Sequence, residues 1–560
     1  MEVMHGRPSR RILERAGRRR TPLPLILALA ALAALFLGSQ KPQPCDDAYI
    51  TFRHVRHLVT DHQPIWNLGG PPVLGSTSPA WIVLLGIVSS VVGLESLPWT
   101  ALLLNSVLLA GIVVLAYLVV ADLTERSLPA VLAAVLVGIN SVNVFVFSQG
   151  FESALLTLML LGGVYAVRIR RDVSAVAAAS LAPLIRPEGL LLTPLVWGTI
   201  VVSRRARVKL VAVYAVAPIV WVCFANWQYG SAVPHPILAK RYFPAIYYPY
   251  DAHQVDLEGR LSKVPLHAVD LWNHDASSYL FNGYRFARHS RWIRVSPLRW
   301  SLLGAAIFPI LLVKKDERLV YFLYAPCFLL LYGWVGRTEV WYFPSFVTFG
   351  IITLYGGCFL TLHRLGRLAQ QRWHLGRPPL RGFLAPAWAC LLFASFLTSN
   401  SYRWNREGEP RKGLLYARDP RGPSWERFEY ERYDAYRRAA LFLNSRGAGA
   451  PVLISEVGFF GFFYQGNVID GVGLCSPEAL AFYPPPPSDV WNSDGSRTTE
   501  SNNLVPTRMV FTLWPPYVVN AERYIRNLLQ PGSPFLDRYR RVGTSGVAWG
   551  SPVGIFRLSR

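Results

Sequence analysis

The sequence predicts a mainly α-helical, polytopic membrane protein with about eleven transmembrane helices and a small C-terminal α/β domain. Of its 560 residues, 52% are hydrophobic and only 16% are charged, which is less charge than a soluble protein of this length carries. The apolar residues cluster in runs close to the length of a membrane span. Because the basic residues stand mostly between these runs, they are predicted to be cytoplasmic anchors. The net charge of +23 therefore reflects topology, and we expect no nucleic-acid partner.

One of the apolar runs is predicted not to cross the membrane. The arginine-rich segment before the first run predicts a retained signal anchor with its N-terminus in the cytoplasm. If every run crossed, the basic cluster Arg168–Arg171 would lie outside. The run 78–93 is short and has no basic anchor, so we expect it to lie on, or re-enter, the outer membrane surface. The runs are 22–39, 78–93, 98–121, 127–149, 152–168, 172–186, 189–203, 208–228, 298–313, 319–335, 341–362 and 383–399.

This topology predicts three parts of the chain. Residues 1–21 form a cytoplasmic N-terminus, and residues 22–399 form the transmembrane domain, with outer loops at 40–97 and 229–297. Residues 400–560 form an extracytoplasmic domain. Within it, a helical pattern from Tyr430 to Leu443 precedes a β-type run at Ala450–Ser455. We expect this part to be a small α/β domain with a core of its own.

Asp46 and Asp47 follow the first apolar run and are the strongest catalytic candidates. An ionised side chain near the lipid surface must be solvated, paired, metal-bound or functional. One aspartate can cap the helix predicted from Ala48 to Leu58, which leaves the other unexplained. Either is placed to act as a general base, and the pair could hold a divalent cation. The metal stays unknown, and the cysteines and histidines show no zinc spacing.

Further polar residues are predicted on the same outer side. Glu152 begins a span there, and Arg186 and Glu188 stand at the outward tip of a short apolar hairpin. Arginine and lysine bind phosphate in such positions, although a salt-bridged turn would also explain Arg186. The candidate substrate-binding and phosphate-binding residues are Tyr49, Arg53, Glu152, Arg186, Glu188, His235, Lys240, Arg337, Tyr342 and Glu456.

The order of these motifs resembles the GT-C glycosyltransferases. The closest resemblance is to the mycobacterial terminal β-(1→2)-arabinofuranosyltransferases and their bacterial relatives. His235 stands where that family usually has asparagine, and Phe151 stands where it has methionine. The matching segments are Asp46–Ile50, Asn67–Gly70, Gly75–Trp81, Gly150–Glu152, Arg186–Gly189, Pro234–His235, Ala239–Lys240, Glu456–Gly458 and Asp470–Leu474.

The resemblance implies an inverting membrane glycosyltransferase of the bacterial cytoplasmic membrane. A first-loop aspartate would deprotonate the acceptor hydroxyl, and Arg186, Lys240 and Arg337 would stabilise the departing lipid phosphate. The implied donor is a polyprenyl-phosphate sugar, with arabinofuranose or another pentose or hexose, and the implied acceptor is a cell-envelope glycan on the outer face. A lipid-linked glycan polymerase or ligase is one alternative. A lipid or solute transporter is another, although transporters usually place charges at midplane and contain internal repeats.

The resemblance also bears on two cysteines. Cys45 and Cys475 lie outside the apolar runs, on segments that this topology places in an oxidising compartment. If the soluble domain covers the first loop, as the resemblance suggests, we expect a disulfide between them.

Overall fold

Apolar helices form most of the fold, and one mixed sheet lies near the C-terminus. In a computed structural model of the chain, the residues described are 23–43, 45–203, 205–240, 264–265, 268–269, 271, 317–335, 339–373, 423–447, 449–490 and 503–559. The chain forms two compact units. The bundle unit comprises Met1–Pro42, Ala101–Pro218 and Glu258–Arg421, and the sheet unit comprises Gln43–Thr100, Ile219–Leu257 and Gly422–Arg560.

The secondary structure alternates between long apolar helices and short polar connections. The helices among the described residues are α1 Leu23–Gly38, α2 Asp46–Asp61, α3 Pro79–Val92, α4 Leu97–Thr124, α5 Ser127–Ile139, α6 Ser141–Ser148, α7 Ser153–Arg168, α8 Asp172–Ile185, α9 Leu192–Val202, α10 Val208–Tyr229, α11 His235–Ala239, α12 Val320–Val335, α13 Phe343–Trp373, α14 Pro423–Ser445, α15 Val457–Phe463, α16 Pro487–Val490, α17 Thr507–Leu513 and α18 Pro534–Arg538. The strands are β1 Val452–Ile454, β2 Val468–Asp470, β3 Tyr517–Ala521, β4 Tyr539–Ala548 and β5 Ser551–Leu558.

Several of these helices are apolar on every face. Helix α1 is built from leucine and alanine, which are strong helix formers. It buries Ile26 and Leu37, yet it exposes Leu32 and Leu35 by more than half. A helix that is hydrophobic all round and still exposed is typical of contact with lipid.

Three helical stretches among the described residues are long and apolar enough to cross a membrane: Leu94–Thr124, Val208–Tyr229 and Val340–Thr361. Helices α5 and α6 make a further candidate if the bent pair counts as one span, and six shorter apolar helices accompany them. The predicted helical membrane architecture is therefore confirmed in outline, whereas the number of about eleven spans is not. Two of the predicted runs, 298–313 and 383–399, lie outside the described residues.

Two buried asparagines fix the backbone at the two ends of α6 in the bundle unit. The Asn140 side chain accepts hydrogen bonds from the N–H groups of Val142 and Asn143 and so caps α6. The Asn105 amide donates to the carbonyls of Phe147 and Phe151, at 2.9 Å each. Since an unpaired carbonyl is costly in an apolar interior, these bonds hold the segment that leads into Glu152.

The sheet unit contains a five-stranded mixed sheet with the order β2-β1-β3-β5-β4. Strand β1 is parallel to β2 and β3, whereas β5 is antiparallel to β3 and β4. Helix α14 packs against β4, and a core around Leu453, Val518 and Phe556 excludes water from the sheet. A small C-terminal α/β fold was predicted, and this sheet confirms it.

The first-loop segment of the sheet unit carries two helices, α2 and α3. Gly86 of α3 lies so close to α2 that an added Cβ would come within 2.8 Å of the Leu58 side chain. Helix α3 has 14 residues, about 21 Å of length, which is less than the roughly 30 Å of a bilayer core. It exposes Val83, Ile87 and Val91 along one stripe. That length fits a helix that does not span, and its position at the membrane surface stays a prediction.

His54 holds the loop between α2 and α3. Its Nδ1–H donates to the Ile50 carbonyl at 2.9 Å, and its Nε2 accepts from the Gly75 N–H at 3.0 Å. Since Nε2 is an acceptor here, the ring is neutral, and a second proton would face the Gly75 N–H. Burial lowers the pKa of His54 from 6.5 to about 4.

We therefore expect the protein to lose stability in acid through His54. The unfolded chain binds a proton at this ring below pH 6.5, whereas the folded chain does so only near pH 4. The contribution of neutral His54 to the free energy of unfolding is thus complete above pH 6.5 and is lost as the pH falls through about 4. Apparent Tm of the detergent-solubilised protein should fall over this range, and it should fall less steeply in His54→Gln. Parallel curves for the two proteins would contradict this account.

Candidate active site

The Asp46 carboxylate is buried against the start of α15. Asp46 is the first residue of α2 and is 7% exposed. Its Oδ2 accepts from the Gly458 N–H at 3.1 Å, and its Oδ1 accepts from the Phe459 N–H at 2.8 Å. These N–H groups belong to the first turn of α15, where intrahelical partners are missing and negative charge is favoured. Asp46 therefore caps a helix that is more than 400 residues away in the sequence.

Gly458 permits this approach because it has no side chain. A Cβ at this position would lie 1.8 Å from the Asp46 carbonyl oxygen, which is backbone and cannot turn aside. Gly461 lies one turn later, and a Cβ at that position would come within 2.8 Å of the Trp66 ring. The two glycines let α15 lie directly against α2 and the first loop.

Arg53 holds the other end of α15. Its guanidinium donates to the carbonyls of Gly461, Tyr464 and Gly466, and its Nε donates to the Trp66 carbonyl at 2.8 Å. The last carbonyls of a helix lack intrahelical partners and favour positive charge. Arg53 is 2% exposed, and its donors are committed to protein acceptors. A role for Arg53 as a substrate ligand stays a prediction, and this placement does not favour it.

Glu456, just before α15, belongs to a buried ionic cluster. Its Oε1 accepts from Arg432 at 3.0 Å, from the Tyr524 hydroxyl at 3.0 Å and from the Trp549 indole at 2.7 Å. Arg432 also bonds Glu429 at 2.7 Å. Two carboxylates therefore pair with one guanidinium, whose charge also acts on the nearby Asp46.

This environment acts on the ionisation of Asp46. The pKa of Asp46 is raised to about 7, mainly by burial and also by the neighbouring Glu456 and Asp47, against the lowering effect of Arg432 and the Phe459 N–H. A pKa near 7 would suit a general base. However, both carboxylate oxygens already accept backbone hydrogen bonds, so geometry opposes that use.

Asp47 lies in a different environment although it is the next residue. It is exposed, on the first turn of α2. Tyr49, two residues on, is buried among the rings of Phe52, Phe459 and Phe462. The described residues contain no group of three or more histidine, cysteine or acidic side chains placed to hold a metal. Among the described residues, no third side chain of this kind therefore joins the two aspartates as a ligand for the divalent cation.

His235, at the start of α11, joins the first loop to the C-terminal segment. His235 Nε2 bonds the Gly473 carbonyl at 2.9 Å, and the His235 N–H donates to the Leu74 carbonyl at 3.2 Å. Asp470 accepts from the N–H groups of Val472 and Cys475, at 2.8 Å each, and so shapes its own turn. Lys240 is exposed just after α11.

The predicted disulfide between Cys45 and Cys475 is wrong. Cys475 is a buried free thiol in the structure. Its sulfur points at the first loop, where a Cβ on Gly75 would lie 2.4 Å away, and it contacts the Gly75 carbonyl at 3.9 Å. The C-terminal segment does reach the first loop as expected, but Cys475 packs on Gly75.

A second polar cluster lies in the bundle unit, around Arg186. Its Nη1 bonds Glu152 at 2.6 Å, and its Nε bonds Glu188 at 2.5 Å. The guanidinium also stacks on the Tyr342 ring, 4.7 Å from the centroid. All three charged side chains are about 95% buried. These predicted residues are therefore brought together; Arg337 lies outside the described residues.

The sequence interpretation missed Arg432 and Glu429, which hold Glu456. A signal was available in the spacing of α14. Glu429, Arg432, Tyr436, Ala439 and Leu443 recur at helical intervals, and all of them are buried. Charged residues on an apolar helix face indicate a buried ion pair.

Comparison with known proteins supports the fold. No family profile and no curated protein sequence matches the chain. It is similar to the structure of ArnT from Cupriavidus metallidurans bound to undecaprenyl phosphate, with a TM-score of 0.52 and 13% identity over 96% of this chain and 98% of that chain. The archaeal oligosaccharyltransferase AglB from Archaeoglobus fulgidus, in complex with an inhibitory peptide and a dolichol-phosphate, matches at a TM-score of 0.49 and 13% identity over 95% and 74% of the two chains. A mycobacterial arabinofuranosyltransferase, AftD, matches at 0.39.

The two weaker scores carry no argument, but the match to ArnT extends over nearly the whole of both chains. The chain therefore shares the fold of ArnT, which is of the GT-C type that the motifs predicted. At 13% identity the similarity establishes the fold alone, so the chemistry has to be argued from the site.

We expect Arg53→Lys to destabilise the sheet unit. Lysine keeps the charge but cannot reach all the acceptors of the guanidinium fork. Each buried carbonyl left unpaired costs about 1–3 kcal/mol. Apparent Tm in detergent should fall clearly, whereas Arg438→Lys, at an exposed ion pair on α14, should leave it unchanged. Equal Tm values for both variants would rule out Arg53 as an anchor of α15.

We expect the Arg186 cluster to tolerate loss of a carboxylate better than loss of the guanidinium. Arg186→Gln leaves two buried carboxylates uncompensated, which costs about 3–5 kcal/mol. Glu152→Gln leaves Arg186 paired with Glu188, so a smaller loss should follow. Thermal unfolding of both variants measures which one loses more stability. A larger decrease in Tm for Glu152→Gln than for Arg186→Gln would contradict the expectation.

Proposed function

We propose that the chain is a GT-C glycosyltransferase of the bacterial cytoplasmic membrane. It would move a sugar from a polyprenyl-phosphate donor to a cell-envelope glycan acceptor on the outer face. The observation that carries this proposal is the match to ArnT over nearly the full length of both chains. An acidic pair directly after the first apolar helix supports it, because transfer to a hydroxyl needs a base at the membrane surface.

The proposed reaction is a single displacement at the anomeric carbon. A carboxylate of the Asp46–Asp47 pair takes the proton of the acceptor hydroxyl. The hydroxyl oxygen then bonds to C1 with inversion, and the bond between C1 and the phosphate oxygen breaks. The electron pair leaves with the lipid phosphate, and the carboxylate later releases its proton to water. In the sheet unit, the exposed Lys240 is a candidate ligand for the phosphate.

For the bundle unit we propose a sugar-binding role for the cluster of Glu152, Arg186 and Glu188. Two carboxylates around one guanidinium leave a net charge of −1 on the cluster, which disfavours a phosphate anion. Carboxylate oxygens accept hydrogen bonds from hydroxyl groups, and Tyr342 offers an aromatic face. Arabinofuranose remains the first candidate sugar because of the motif resemblance, with other pentoses and hexoses as alternatives.

The test uses the full-length protein in nanodiscs. It is incubated with a panel of synthetic decaprenyl-phosphate sugars (arabinofuranose, mannose, galactose and glucose) and short glycan acceptors. Mass spectrometry should detect an extended acceptor and free decaprenyl phosphate with at least one donor. The double variant Asp46→Asn/Asp47→Asn should lose about 10²-fold or more of the rate. Asp434→Asn, an acidic residue on α14 with 45% exposure, should keep it.

Two results would overturn the proposal. One is passage of an intact lipid-linked sugar between the leaflets without cleavage, which indicates a transporter. The other is full turnover in the double variant, which removes the acidic pair from the chemistry. Repeated addition to one acceptor would favour the polymerase alternative within the same reaction class.

A further inference from the structure

The two aspartates at the start of α2 differ sharply in what surrounds them. The Asp46 side chain is 7% exposed, and each of its oxygens accepts a backbone N–H from α15. Asp47 is exposed on the same helical turn. A base must come within hydrogen-bond reach of the proton that it abstracts. Only one of the two adjacent carboxylates therefore meets this condition.

Asp46 is one of two charged side chains of α2 that form hydrogen bonds to the backbone at the ends of α15. Asp46 is bound to its first turn, and Arg53, seven residues later, is bound to the carbonyls after its last turn. Seven residues of helix rise about 10.5 Å, and α15 itself has seven residues. The spacing of the two charges on α2 thus equals the length of the helix that they hold.

The backbone fixes this contact as well. Gly458 lies against the Asp46 carbonyl, where a Cβ would be 1.8 Å away. The first turn of α2 is consequently held by both the side chain and the main chain of Asp46. Asp47 is part of that turn, so the position of its carboxylate depends on the docking of α15.

We propose that Asp46 is a positioning residue that docks α15 on the first turn of α2, and that Asp47 alone takes the acceptor proton. This inference rests on the proposed glycosyl transfer. It also assigns the C-terminal segment a part in catalysis, because α15 belongs to that segment. Asp46 and α15 then affect the reaction by positioning Asp47, and not by contact with substrate.

The test compares Asp47→Asn, Asp46→Asn and Gly458→Ala in the full-length protein in nanodiscs. The readouts are kcat and KM for the decaprenyl-phosphate donor, the pH profile of kcat, and hydrogen–deuterium exchange of residues 457–463. Gly449→Ala is the matched control, since a Cβ there meets nothing within 4 Å. It should match the wild type in every readout.

The proposal expects Asp47→Asn to lose at least 10²-fold in kcat with unchanged exchange in α15. Asp46→Asn and Gly458→Ala should lose less of kcat, keep KM, and exchange faster in α15. In Asp46→Asn the kcat profile should keep its acid limb, because Asp47 remains as the base. Loss of that limb in Asp46→Asn would contradict the assignment.

Two further outcomes would overturn the proposal. The first is wild-type turnover in Asp47→Asn, which can be tested even if Asp46→Asn fails to fold, because Asp47 is exposed. The second is a complete loss of turnover in Asp46→Asn with unchanged exchange in α15. If the wild type transfers no sugar from any donor, the proposed function fails instead. The exchange data for Gly458→Ala and Asp46→Asn then still decide whether Asp46 docks α15.

Discussion

The sheet unit depends on one short helix that is held at both ends by opposite charges from α2. Asp46 pairs with the N–H groups at the start of α15, and Arg53 pairs with the carbonyls at its end. A seven-residue helix has almost no stability alone, and most of its backbone groups lack intrahelical partners. Supplying those partners from α2 makes the first loop and the C-terminal segment a single structure.

Other motif residues also make contacts within the protein. Gly458 and Gly75 make room for a neighbouring segment, and His235 and Asp470 form hydrogen bonds to backbone groups. Gly458, Gly75 and His235 join segments that lie far apart in the chain, whereas Asp470 shapes its own turn. A set of short, ordered motifs can therefore mark an internal contact as readily as a ligand site. Asp47 is the residue that this arrangement leaves exposed.

The buried charges of the two units have different consequences. In the sheet unit, burial is the main cause that raises the pKa of Asp46 to about 7, with Glu456 and Asp47 acting in the same direction and Arg432 against it. In the bundle unit, the positive charge of Arg186 is paired with two negative charges, those of Glu152 and Glu188. For this reason we propose sugar hydroxyl groups, and not a phosphate, as the ligand of this cluster. Composition predicts charged residues at these places, but tertiary structure decides how many ion-pair partners each of them has.

The sequence by itself determined the helical membrane architecture and the C-terminal α/β fold, and it indicated the Asp46–Asp47 pair as the candidate catalytic residues. These follow from the length of apolar runs and from the cost of placing carboxylates near lipid, which are local properties. Tertiary structure alone decided which aspartate is buried, what Arg53 binds, and that Cys475 packs on Gly75 instead of bonding Cys45. Those outcomes depend on contacts across some 400 residues of chain, and no local pattern encodes a distance between such segments.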